Sequence, residues 1–168
     1  MNPIELKIYS FFMQKEIQFV RYYHQPYTNR TQWKSILKKA KRDVTLPEFH
    51  IFLQKNTGQY VFSMVSERDS AQSAKAALMN DPNLAAATEV DFFAICKILH
   101  CQPHTISPLG LLFDENHICR ISIDASLFQA PMLCLSPCSN ESSIFLTPDA
   151  FLHQFLMQIS PESIYPSK

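Results

Sequence analysis

Glycine is almost absent from this chain: 168 residues contain only Gly58 and Gly110, far apart. Cradles for dinucleotides and triphosphates need several glycines close together, because only a bare backbone can approach the phosphates, so both motifs are excluded. An excess of charge is missing as well. Lys and Arg number 15, Asp and Glu number 15, and the formal net charge is zero. A dedicated duplex-DNA binder is normally strongly basic, so DNA is not an expected partner. No apolar run approaches the roughly 20 residues needed to span a bilayer, and the N-terminus has neither the basic start nor the apolar middle of a secretory signal. The expectation is a cytoplasmic protein with no membrane partner. The five cysteines are odd in number and lack CxxC spacing, which fits reduced, buried thiols better than a disulfide framework. No Cys/His pair has a recognisable zinc spacing, and nothing in the sequence calls for a metal or another cofactor.

What is present is apolar and aromatic. A hydrophobic fraction of 46% with 12% aromatics and 18% charged residues indicates a globular chain, and its length suits one domain over residues 1–168 with a frayed tail from about residue 160. Asn2-Pro3-Ile4-Glu5 reads as a capped helix start, continued by Ile4, Ile8, Phe11 and Phe12 on one face to about Gln14. Ile17 to Tyr23 alternates as a strand and is closed by His24-Gln25-Pro26. Thr31 to Lys41 reads as a helix with Trp33, Ile36, Leu37 and Ala40 inward. Phe49–Leu53 and Tyr60–Val65 form a hairpin whose turn needs Gly58 at positive φ. A further helix runs from Asp69 or Ser70 to Met79, and Leu84–Ala87 reads as a short strand. Thr88-Glu89-Val90-Asp91 opens another helix with a capping-box pattern, ending near Leu99.

The stretch Leu99–Asp124 then reads as two strands feeding a pocket. Leu109–Phe113 is an apolar run of β character behind the loop bounded by Pro103 and Pro108, and Ile118–Ile123 alternates as a half-buried strand. Met132–Leu135 and Ser143–Leu146 are two last strands, and Thr147-Pro148-Asp149 starts a closing helix. Helices and hairpins interleave without a regular βαβ rhythm, so the fold class is mixed α/β (α+β) and not a doubly wound sheet.

The cations concentrate on one helix. Lys34, Lys38, Lys39, Lys41 and Arg42 form the densest cluster in the chain, and they serve either as a solvated face or as a surface for RNA phosphates. Asp124 either caps the turn that follows it or holds a substrate amine. His104 is either a loop histidine or a proton shuttle near neutral pH. Ser136 and Cys138 are possible nucleophiles without an identifiable His/Asp partner. His100, His117 and His153 read as surface or helix-end residues.

Taken in order, these features resemble the YbaK/prolyl-tRNA editing domains, and within them the freestanding ProX-type deacylases. The likeness rests on the His24-Gln25-Pro26 turn, the basic helix, the hairpin with Phe52-Leu53, the loop closing in Ser107-Pro108, the strand into Ile123-Asp124 and the last loop before the final helix. It covers roughly Ile17 to Leu156. It implies a mixed, partly barrel-like sheet wrapped by helices, an aminoacyl-tRNA partner, and trans-editing hydrolysis of a mischarged ester. Phe49 stands where the family has a lysine, with His50 as its neighbour. In the loop His104-Thr105-Ile106-Ser107-Pro108 the proline is kept, but His104 replaces a glycine. Ser136-Pro137 matches a His-Pro pair, and Asn140 and Asp124 match retained positions. The resemblance therefore gives a pocket of Phe49, His104, Thr105, Ile106, Ser107, Pro108, Asp124, Ser136 and Asn140, with His50, His104 and Ser136 as catalytic candidates. The alternative is an inactive relative that binds tRNA, a nucleotide-like ligand or a protein.

Overall fold

The computed structural model describes residues 2–66 and 80–159, and the helix expected to end at Met79 and the tail from Ser160 lie outside them. Helix α1, Pro3–Gln14, starts as its cap dictates: the Asn2 side chain accepts from the Glu5 amide and Pro3 occupies the first turn. Glu16 adopts φ 55°, and the Ile17 amide still bonds back to the Phe12 carbonyl. That reversal uses up the residues expected to begin the first strand. Strand β1 is therefore only Val20–Tyr23. Helix α2, Arg30–Lys39, begins where the Asn29 side chain accepts from the Gln32 amide, and Lys41 at φ 54° stops continuation.

Strands β2, Glu48–Gln54, and β3, Tyr60–Val65, form the expected hairpin, with Gly58 at φ 73° in its turn. Strand β4, Leu84–Ala86, pairs with β2. Helix α3, Glu89–Leu99, carries the full reciprocal capping box between Thr88 and Asp91 and ends at His100 with φ 56°. Strands β5, Cys119–Ile123, β6, Leu133–Leu135, and β7, Ser142–Leu146, follow. The closing helix is π-helical over Ala150–Leu156 and α-helical over Met157–Ile159.

The strands described make two sheets, a three-stranded one of order β1-β7-β6 and a four-stranded one of order β4-β2-β3-β5. All pairings within them are antiparallel except β3 with β5. A single bridge, Thr45 with Leu133, links the segment before β2 to β6, and no closed barrel forms among the described residues. The main core lies between α1, α3, the closing helix and the inner sheet faces, built on Ile8, Phe12, Phe62, Ile95, Leu99, Leu109, Ile121, Phe151 and Phe155. A second core seats Trp33 and Leu37 of α2 against Tyr27, Cys134 and Phe145.

The run Leu109–Phe113 is not a strand. Residues Pro108–Phe113 form a 3₁₀ helix whose start is capped by Ser107, its Oγ accepting from the Leu109 amide at 3.1 Å. A short apolar run carries no usable period, so the cap and the proline decide its conformation. Gly110 is the contact point of this helix with α3. A Cβ there would lie 2.5 Å from the Leu99 carbonyl oxygen and 2.7 Å from the Leu99 Cβ. Gly110→Ala is expected to lower stability by about 1–3 kcal/mol or more, read as a fall in the urea unfolding midpoint, since the obstruction is backbone and cannot rotate away.

Candidate functional site

Strand β2 separates the two residues on which the catalytic expectation turns. Phe49 pairs with Met64 and His50 with Ser63. Successive side chains point to opposite faces, so Phe49 joins Ile51 against the main core, where its ring lies 5.0 Å from that of Phe62. His50 lies on the other face, in a row with Ser63 of β3 and Ser122 of β5, and its Nε2 is 3.7 Å from the Glu48 carboxylate. No register slip brings His50 to the Phe49 side.

His104 and Thr105 sit in the short 3₁₀ turn Pro103–Thr105, and the His104 ring meets the Tyr27 ring edge-on at 6.2 Å. With Asn140 they line an open cavity of about 350 Å³, completed by Asn2 and Glu5 of the N-terminal helix region and by Gln102, Cys138, Ser139 and Glu141. Ile106, Ser107 and Pro108 run on behind it into the capped helix, with Ser107 fully buried. The site expected as one group is thus divided. His104, Thr105 and Asn140 share a cavity, whereas Phe49, Asp124 and Ser136 are not among the residues lining it.

Local bonds explain most of the remaining candidates. Ser136 is buried; its hydroxyl donates to the Ser139 carbonyl at 2.8 Å and accepts from the Ser139 amide at 3.2 Å, which closes a turn. Asn140 donates through Nδ2 to the Tyr27 carbonyl at 2.9 Å, tying this loop to the one after β1. Asp124 caps the 3₁₀ segment Ala125–Gln129, accepting from the Ser126 amide at 3.3 Å. His24 orders its turn: its Nδ1–H donates to the Gln25 carbonyl, so Nε2 accepts from the Ser143 hydroxyl, each at 2.8 Å. Burial pushes the Tyr27 phenol up.

All five cysteines are free and buried. The hydrogen bond with Cys138 is the main effect raising the Cys101 thiol, and burial pushes Cys119 up to about 12, so both are poor nucleophiles at neutral pH. Among the described residues no group of three or more His, Cys, Asp or Glu side chains is arranged to hold a metal, and no helix is long and apolar enough to cross a membrane. On α2, Lys38 and Lys39 are exposed, as are Lys41 and Arg42 just beyond it, whereas Lys34 is half-buried and engaged.

Sequence reasoning missed Glu5, Tyr9 and Ser142. Tyr9 donates to Ser142 at 2.8 Å, and Ser142 donates to the Glu5 carboxylate. Glu5 read as a helix-start acid, and no local signal pairs it with a serine 137 positions away.

No family profile matches the chain, and no curated protein sequence matches it. Solved structures do match. One described as a candidate trans-editing enzyme for prolyl-tRNA synthetase aligns with TM-score 0.61 and 16% identity, over 90% of this chain and 91% of its own. The chain has the YbaK-like editing fold. The hypothetical protein APE2540 aligns with TM-score 0.66 and 10% identity, over 89% of this chain and 93% of its own. A scaffold from computational grafting of linear epitopes aligns with TM-score 0.63 and 12% identity, over 92% of both chains. These likenesses are of fold.

Because Ser136 holds its turn through both of its hydrogen bonds, Ser136→Ala is expected to cost about 1–3 kcal/mol of stability, read in a thermal or urea melt. The cost arises from the stranded Ser139 amide and carbonyl.

Proposed function

We propose that this protein binds the aminoacylated end of a tRNA on an editing fold without hydrolysing it by a lysine-dependent route. The observation that carries the reading is Phe49, which stands where the editing pattern has a lysine and is half-buried, packed on Phe62 against the main core. Ester hydrolysis needs a donor or cation aimed at the developing oxyanion. An aromatic ring supplies neither, and His50 lies across the sheet. Ser136 is bonded within its own turn with no histidine bonded to it, which weighs against the simplest covalent alternative.

Support for a tRNA partner comes from the exposed cations Lys38, Lys39, Lys41 and Arg42, gathered at one end of α2 in a chain of zero net charge. The 3₁₀ turn bearing His104 gives the fold a cavity large enough for a small polar group. The competing reading, trans-editing by a reworked site, rests on His104 alone as a proton shuttle at that cavity.

Incubation with alanyl- and seryl-tRNA for proline discriminates the two. The expected result is an ester lifetime equal to the spontaneous one while the tRNA is bound; cleavage faster than the spontaneous rate establishes the reworked enzyme instead. Neutralising Lys38, Lys39 and Lys41 together is expected to weaken tRNA binding and to flatten its salt dependence, by about 0.7–0.9 in log–log slope for each phosphate no longer neutralised. A filter-binding series at several salt concentrations measures both effects.

A further inference from the structure

Glu5 is the most unusual charged group among the described residues. It is only 3% exposed, yet it lines the cavity beside His104 and Asn140. Among those residues its carboxylate bonds to the Ser142 hydroxyl and forms no ion pair. The bonding order makes it an acceptor. Ser142 has one hydroxyl proton and gives it to Glu5, so Tyr9 must donate to Ser142, and burial raises the Tyr9 phenol to about 12, which keeps that proton in place at neutral pH. Arg21 stacks 4.0 Å over the Tyr9 ring and bonds to the Tyr23 hydroxyl, and it forms no ion pair with Glu5.

A buried carboxylate without a cation is costly unless something fills that role. Around this one the lining, which also includes the side chains of Asn2, Gln102 and His104, adds further acceptors. The exposed Glu141 carboxylate lies at its rim, and Asn140 spends its amide donor on Tyr27, leaving the carbonyl oxygen of its side chain. Among the described residues no lysine or arginine lines the cavity. Such a lining selects a compact positive group with several N–H donors, and a cavity of about 350 Å³ admits a small one.

We propose that this cavity is a binding site for a primary ammonium group, anchored by the Glu5 carboxylate and bounded by His104, Asn140 and Glu141. The ammonium belongs either to a free small amine or to the amino end of an aminoacyl group. Only the second source rests on the function proposed above.

The test is a nuclear magnetic resonance titration of the full chain with L-alaninamide, a stable stand-in for an alanyl ester with its amine free, beside N-acetyl-L-alaninamide and ethylamine. Saturable shifts in residues 102–105 and 138–141 are expected with alaninamide, together with binding at least about tenfold weaker for the acetylated compound and for Glu5→Gln. Stronger binding of alaninamide than of ethylamine assigns the site to an aminoacyl amine, and equal binding assigns it to simple amines. No saturable shifts, or equal affinity for the amine and its acetylated form, overturns the proposal. If Glu5→Gln does not fold, the acetylation comparison on the unaltered chain decides alone. Absence of amine binding with tRNA binding intact refutes this site and leaves the tRNA reading standing, whereas the reverse pattern refutes that reading and leaves the site.

Discussion

Two adjacent hydroxyls at the start of β7 hold the molecule together. Ser142 and Ser143 are completely buried in the strand at the centre of the three-stranded sheet, where their side chains point to opposite faces. On one face Ser142 joins Tyr9 and Glu5 of α1. On the other, Ser143 accepts from the Trp33 indole at 2.9 Å and donates to His24. One dipeptide thus positions α1, the turn after β1 and α2. An unsatisfied buried hydroxyl costs more than a satisfied one gains, so these bonds fix the arrangement as much by what their removal would leave unpaired as by their own strength.

The site inherits its shape from that arrangement. The loop leading into β7 is closed by Ser136 and Ser139 and joined to Tyr27 through Asn140. The opposing wall is the turn bearing His104, placed by α3 and by the 3₁₀ helix that meets Leu99 at Gly110. Helix α1 supplies the third side through Glu5. The cavity is therefore a junction of three segments distant in sequence. Several of its groups are held by hydrogen bonds within the chain, as Glu5 is by Ser142 and Asn140 by its bond to Tyr27.

At the position that the resemblance assigns to a lysine, the half-buried Phe49 packs on Phe62 against the main core and contributes apolar contact in place of charge. The cations lie instead at the end of α2, on the surface, and can act on a polyanion only through long-range attraction and phosphate contacts.

The sequence by itself determined what short-range rules control. The start of α1, the capping box of α3 and the Gly58 turn were legible because caps and turns involve residues within four positions of each other. Mixed α/β architecture followed from their order, and the opposite facing of Phe49 and His50 followed from the two-residue period of a strand. Tertiary structure decided the rest. It made Pro108–Phe113 a 3₁₀ helix, because a short apolar run fits several conformations and the Ser107 cap, the proline and the close approach of Gly110 to Leu99 together favour this one. It engaged Ser136 in a turn, through its bonds with the Ser139 carbonyl and amide. It also carried Glu5 from an ordinary helix start to the wall of a cavity, through a bond spanning 137 positions that no local pattern encodes.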